Sequence, residues 1–188
     1  MAKKVGAIVS LSIIGILIIA TIIMANVKVD YGIKCGTPDS IVVKYGSKAE
    51  RVVSDVQADS IIDIISNACN EKSLTALFNG NLGKKATVVL DSTKGKTLPT
   101  LSDGFYVRYH YQNTQDLKQG NKLYQDSEGN RYTYEALVYT IKNIDGEAEV
   151  TVYVIPDLDN ANTYTHYYKL DADLGGLYDY LVEQGFNK

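Results

Sequence analysis

The chain has 188 residues and a formal net charge of −3, and its charges are unevenly distributed. Residues 28–188 contain 22 acidic and 17 basic residues, a net charge of −5, whereas Lys3 and Lys4 are the only charged side chains before them. A hydrophobic content of 45% excludes a disordered chain and a collagen-like repeat. The acidic balance is unlike that of a nucleic-acid-binding domain, so no nucleic-acid partner is expected.

A run of 23 uncharged residues near the N-terminus predicts a transmembrane helix; it begins at Val5 and ends at Val27. With a rise of about 1.5 Å per residue, a helix of this length crosses a hydrocarbon core of about 30 Å. Hydroxyls within the run, such as that of Thr21, can bond to carbonyls one turn back and therefore cost little in lipid. The sequence thus predicts that residues 5–27 bind the membrane.

A cleaved signal peptide is the alternative interpretation of this run. Its apolar region would be shorter, about 7–15 residues, and would end in a small-x-small cleavage site. Ala20 and Ala25 each have an isoleucine two positions earlier, so neither fits such a site. An uncleaved anchor is therefore favoured.

The lysines around the run set the expected orientation. Lys3 and Lys4 favour a cytoplasmic N-terminus, and a long domain crosses the membrane largely regardless of its charge. The predicted localisation is the cell membrane, with the C-terminal domain extracytoplasmic. The predicted segments are a cytoplasmic tail at 1–4, a transmembrane helix at 5–27, a stalk at 28–38 and an extracytoplasmic domain at 39–188.

The first part of the domain alternates between strand and helix patterns. Strands are predicted at residues 41–45, 51–53 and 86–90. Ser54 and Gln57 have the spacing of a capping box, which predicts that a helix begins there and ends near Asn70. Its apolar stripe has helical spacing and consists of Ile61, Ile64, Ile65 and Ala68.

After residue 104 the pattern changes, and 13 of the 15 tyrosines lie between Tyr106 and Tyr180. Alternation in residues 105–112 assigns Phe105, Val107, Tyr109 and Tyr111 to one strand face, and Tyr106, Arg108, His110 and Gln112 to the other. Turns are predicted at 126–130 and 145–146, a strand at 163–170, and a final helix that begins near Asp171 or Asp173 and ends before Gly185. This order predicts an α+β domain with an antiparallel Tyr-rich β-meander and two amphipathic helices.

Cys35 and Cys69 are a candidate disulfide if the domain faces an oxidising compartment. In the chain-entropy model a loop of about 33 residues gives about 3–4 kcal/mol of stabilisation. Cys69 also lies beside the apolar stripe of the predicted helix, where a cysteine packs as a small hydrophobic residue. Two reduced thiols are therefore the alternative.

The sequence predicts no catalytic residue, no cofactor and no metal site. His110 and His166 are 56 positions apart and lack the spacing of metal ligands. The chain also lacks a dinucleotide fingerprint, an HExxH motif and a nucleophile elbow.

The leading hypothesis is a non-enzymatic anchored domain that binds a protein partner or a component of the cell envelope. Tyrosine and arginine suit recognition because they combine large contact area with polar tips. One member of the Tyr167/Tyr168 pair should be the more exposed, since neighbours in a strand point to opposite faces. The candidate partner-binding residues are Tyr106, Arg108, His110, Tyr167 and Tyr168. The alternatives are a cell-surface hydrolase using carboxylates such as Glu135, Asp157 or Asp159, and a domain secreted after signal-peptide cleavage.

Overall fold

A computed structural model describes residues 2–30, 36–72, 87–90, 95–119, 122–144, 147–170 and 174–188. The α-helices in these ranges are α1 (Ala2–Asn26), α2 (Asp55–Cys69) and α3 (Gly175–Glu183), and a 3-10 helix covers Leu158–Asn160. The strands, in chain order, are β1 (Lys28–Asp30), β2 (Ser40–Tyr45), β3 (Arg51–Val52), β4 (Asn70–Lys72), β5 (Thr87–Leu90), β6 (Lys96–Thr97), β7 (Phe105–Asp116), β8 (Lys118–Gln119), β9 (Lys122–Leu123), β10 (Thr133–Ile144), β11 (Glu147–Ile155), β12 (Thr163–Tyr164) and β13 (His166–Lys169).

A seven-stranded sheet dominates the fold, in the order β3-β2-β7-β10-β11-β13-β5. All of its neighbouring strands pair antiparallel. The two longest strands, β7 and β10, lie side by side near its centre, and a β-bulge between Tyr134 and Ala136 interrupts their pairing. The predicted α+β class with an antiparallel sheet is confirmed.

The described elements divide into two compact units. The first contains α1, most of β1 and β4, and its two strands pair with each other. In α1 the hydroxyl of Thr21 donates to the carbonyl of Leu17 at 2.8 Å, which is the bond predicted for it. Among the residues that the structure describes, no helix has both the length and the apolar character needed to cross a membrane.

In the second unit, one face of the sheet carries Phe105, Val107 and Tyr109, and we call it the helix face. The rings of Phe105 and Tyr178 meet edge to face with centroids 5.2 Å apart, so α3 lies on this side. Helix α3 packs on β10, β11 and α2. The predicted apolar stripes supply the contacts, because Ile61 and Ile65 of α2 and Leu177 and Leu181 of α3 are buried.

The predicted start signal of α2 and the predicted end signal of α3 are both present in the structure. The backbone N–H of Ser54 donates to Gln57 Oε1 at 3.1 Å, and the N–H of Gln57 donates to Ser54 Oγ at 3.4 Å, which completes the capping box. Helix α3 is followed by Gly185 at a φ of +71°, a left-handed conformation that glycine adopts without a steric penalty.

The C-terminal residues fasten the loop between β2 and β3. Lys48 Nζ donates to the carbonyl of Asn187 at 2.9 Å, and Arg51 Nη1 donates to the carbonyl of Gly185 at 2.9 Å. The Arg51 guanidinium also lies 4.6 Å from the centroid of the Phe186 ring. Glu50 belongs to this loop, so its backbone has anchored residues on both sides.

Several predictions fall outside the described residues. They concern Cys35 of the candidate Cys35–Cys69 disulfide, the turn at 145–146, and Asp171 and Asp173 at the predicted start of the last helix. Cys69 itself is buried at the end of α2. In the predicted stalk, Lys28–Asp30 form β1, and residues 31–35 are again outside the described ranges.

Candidate functional site

The sheet face opposite the helix face carries Tyr106, Arg108 and His110, as alternation predicts, and we call it the cleft face. In β2 the residues paired with these three are Lys44, Val42 and Ser40. In β10 they are Thr140, Val138 and Ala136. The pairing therefore brings Lys44 beside Tyr106, two residues that are 62 positions apart in the sequence.

The cleft face is covered in part by two segments that cross it. Strands β6 and β12 pair with each other, and the backbone N–H of Leu98 donates to the carbonyl of Asn162 at 2.8 Å. Beneath them lies a small second core. Its buried members are Leu101, Tyr106, Ala136, Val138 and Ile155, and its partly buried members are Leu98, Tyr153, Leu158 and Tyr164.

Under this cover the candidate partner-binding residues Tyr106 and Arg108 are nearly buried, and each has a relative exposure of only 8%. The Tyr106 hydroxyl donates to the carbonyl of Pro99 at 2.7 Å and accepts from the N–H of Leu101 at 2.6 Å. The tyrosine thus holds residues 98–101, which we call the crossing segment, against the sheet. His110 is half-buried.

Tyr167 and Tyr168 lie on opposite faces of β13. Tyr168 is 1% exposed and pairs with Val152 on the helix face, so it is not part of any surface on the cleft face. Tyr167 is half-buried, and its ring centroid lies 6.0 Å from that of Tyr153 and 6.1 Å from that of Tyr164. The ring of Tyr167 therefore extends the second core and leaves only part of its surface to solvent.

A cleft of about 290 Å³ remains open on the cleft face, between the crossing segment and strand β2 with the turn that follows it. Its size is close to that of the smaller ligand pockets of proteins. The residues that line it come from β2 and the turn after it, the end of β6 and the crossing segment, β7 and the loop after the 3-10 helix. They are Lys44, Gly46, Ser47, Thr97, Leu98, Pro99, Thr100, Tyr106, Arg108 and Asn162.

Arg108 is the most deeply placed charge of the cleft. Its Nη1 lies 3.0 Å from Glu50 Oε1, and its Nη2 lies 3.5 Å from Asn162 Oδ1, the outer limit of a hydrogen bond. Its Nε is buried and finds no hydrogen-bond partner among the described residues. The guanidinium, which has five N–H donors, is therefore only partly satisfied.

Lys44 and the turn after it form the other wall. The Lys44 ammonium lies 5.6 Å from the centroid of the Tyr106 ring, within range of a cation–π interaction. The turn is fixed at Gly46, whose N–H donates to the carbonyl of Gly104 at 2.9 Å. The Tyr45 hydroxyl also donates to Asp103. This hydrogen bond, together with burial and the negative charge of Asp103, raises the pKa of Tyr45 to about 12.

His110 lies two residues from Arg108 on the same face. Burial lowers the pKa of His110, the positive charge of Arg108 lowers it further, and the negative charge of Glu50 raises it. The imidazole is therefore biased toward its neutral form next to a fixed cation.

Two of the three carboxylates of the hydrolase hypothesis accept hydrogen bonds from backbone N–H groups. Glu135 lies in the β-bulge of β10 and accepts the N–H of Leu158 at 2.9 Å. Asp157 caps the 3-10 helix by accepting the N–H of Asp159 at 2.9 Å. Within the described ranges no group of three or more potential ligands could hold a metal ion.

Sequence reasoning did not identify Lys44, Glu50 and Asn162 as members of this site. Lys44 shares the alternation of β2, but only the pairing of β2 with β7 shows that it lies beside Tyr106. Glu50 and Asn162 are in loops 58 and 54 positions from Arg108, and no local pattern marks them.

No protein-family description matches this chain, and neither a curated protein nor a solved structure was found to match it. The function proposed below therefore rests on the residues of the chain itself.

Proposed function

We propose that the chain is a single-pass membrane-anchored, extracytoplasmic and non-enzymatic domain that binds a protein partner or a cell-envelope component. The observation that carries the proposal is the cleft, where a lysine, an arginine and a tyrosine meet on the sheet face that the helices leave free. Tyr106 and Arg108 belong to the residue types that dominate recognition surfaces.

The anchor is supported by the uncharged run at residues 5–27 and by the side chains described within it. Eight large apolar side chains described in this stretch are between 52% and 67% exposed, which is unfavourable in water and favourable in lipid. They are Ile13, Ile14, Ile16, Leu17, Ile18, Ile19, Ile22 and Ile23.

The topology is tested on the full chain with a protease-accessible tag after Lys188. We expect protease to remove the tag from intact cells and the chain to resist extraction from membranes by alkaline carbonate. Tag removal only after the membrane is broken would reverse the orientation. A shortened chain released into the medium would favour the secreted alternative.

Paired substitutions test whether α1 provides the anchor. Each lysine placed centrally in a membrane helix costs about 2.5–3.5 kcal/mol, so the I14K/I18K variant should lose most of its membrane-retained fraction. The I14L/I18L variant keeps the apolar character and should be retained like the natural sequence. Equal retention of both variants would contradict anchoring through this helix.

Photocrosslinking tests whether a protein partner uses the cleft. A benzoylphenylalanine at Thr100, an exposed residue of the cleft wall, should crosslink to the partner in intact membranes. The control places the same group at Asn67, an exposed residue of α2. Crosslinks from Asn67 and not from Thr100 would move the binding surface to the helices.

The hydrolase alternative has less support because Glu135 and Asp157 are engaged with backbone N–H groups. None of the residues that line the cleft is acidic, and hydrolysis by paired carboxylates requires two of them in one pocket.

A further inference from the structure

The charge of the cleft is opposite to that of the region around it. Lys44 and Arg108 line the cleft, and none of the ten described residues that line it is acidic. Residues 28–188 as a whole carry a net charge of −5. A cationic concavity attracts small anions even where the net charge of the protein around it is negative.

Burying the Arg108 guanidinium costs desolvation free energy that its present hydrogen bonds do not fully offset. The residue is 8% exposed, yet its Nε has no hydrogen-bond partner among the described residues and its Nη2 has only the 3.5 Å contact with Asn162. A buried guanidinium with unmet donors is stabilised by any anion that reaches it.

Glu50 indicates which anion fits. Its carboxylate meets Arg108 Nη1 through both oxygens, at 3.0 Å and 3.3 Å. The Glu50 side chain is nevertheless 43% exposed, and Lys48 and Arg51 anchor the backbone on either side of it. The side chain can therefore leave Arg108 by rotation into solvent while the loop stays in place.

We propose that the cleft binds a small carboxylate, with Arg108 and Lys44 as its cationic partners and Glu50 as an internal competitor for Arg108. This inference rests on the proposed binding function and names the chemistry of its ligand. A volume of about 290 Å³ holds a group the size of a terminal amino acid or a hexuronate. The ring of Tyr106 and the amide of Asn162 supply an apolar and a polar wall beside the carboxylate.

The test is a calorimetric titration of the full-length protein in lipid nanodiscs with paired probes. N-acetyl-alanyl-alanine and glucuronate carry the carboxylate, and N-acetyl-alanyl-alaninamide and glucose lack it. We expect at least one of the carboxylates to bind and neither neutral probe to do so. Which carboxylate binds distinguishes a peptide end from an acidic sugar.

Substitutions then test the assigned roles. Glu50→Gln removes the competitor and should tighten carboxylate binding about two- to fivefold, the range expected for a partly exposed ion pair. Arg108→Lys should weaken binding about tenfold or more, because it removes hydrogen bonds to a charged group. Lys44→Met tests the cleft without altering a deeply buried residue and should also weaken binding, whereas Lys169→Met, at an exposed position of β13, should not.

Three results would overturn the inference. They are an absence of carboxylate binding to both the natural protein and the Glu50→Gln variant, unchanged or weaker binding after Glu50→Gln, and inorganic phosphate binding as tightly as the carboxylates. If carboxylates fail while crosslinking from Thr100 persists, the binding function stands and only the ligand assignment is lost. If crosslinking and membrane retention fail as well, the proposed function fails with it.

Discussion

His110 reports on the charge state of the cleft because it lies beside Arg108 without lining the cleft itself. We expect its pKa, followed by NMR of the imidazole ring, to lie below the usual value near 6.5. Glu50→Gln removes the charge that raises it and should lower this pKa further. The matched control, Glu149→Gln on β11, should leave it unchanged, and a rise after Glu50→Gln would contradict the described arrangement.

The lowered pKa of His110 also sets a direction for stability. Below about pH 6.5 the unfolded chain binds a proton at this position that the folded chain resists, so the folded state holds fewer protons. The free energy of unfolding therefore gains from His110 above about pH 6.5 and loses that gain as the pH falls through the folded-state pKa. Replacing His110 with Gln should make the acidic side of the stability profile shallower in chemical denaturation.

At the scale of elements, the start of β7 meets the turn after β2 through the backbone hydrogen bond from Gly46 to Gly104. Gly104 has a φ of +148°, and a Cβ at this position would lie 2.7 Å from the carbonyl oxygen of Ile141. Gly104→Ala should therefore destabilise the protein by about 1–3 kcal/mol, from backbone strain and from displacement of β10.

Gly176, a helical glycine far from this corner in sequence, provides the control for the Gly104→Ala substitution. Gly176 lies in α3, and a Cβ there would have no atom within 4 Å. Gly176→Ala should stabilise the protein by about 0.5–1 kcal/mol, because alanine loses less backbone entropy in a helix. Thermal unfolding of both variants measures the difference in stability. A Gly104→Ala variant as stable as Gly176→Ala would show that the backbone at the start of β7 accommodates the methyl group without strain.

The elements that the sequence predicts well are those with local causes. The Ser54–Gln57 capping box and Gly185 fix helix ends through bonds within four residues, so both can be recognised without tertiary information. Alternation likewise assigns Tyr106 and Arg108 to one face, because period two is a property of any strand.

On the scale of the whole molecule, what sequence reasoning missed depends on contacts between distant segments. Nothing near Pro99 indicates that residues 98–101 fold over Tyr106, and nothing near Glu50 indicates that it pairs with Arg108. The location of β5 is another case, since it pairs with β13, about 80 positions later in the chain. The candidate cleft is formed almost entirely by such contacts. The sequence could therefore predict only the strand face on which it lies, and not the cleft itself.

The strand order also has a consequence for how the chain folds. The centre of the sheet, β7-β10-β11, consists of strands that follow closely in sequence, whereas β2 and β5 join its flanks from much earlier positions. Closing short loops costs less entropy than closing long ones, so the central hairpins should form in the folding transition state and the flanks afterwards. In a φ-value comparison, Val138→Ala in β10 should slow folding, while Val43→Ala in β2 should mainly speed unfolding. The cleft, whose walls include the late-joining β2, would then be completed in the final steps of folding.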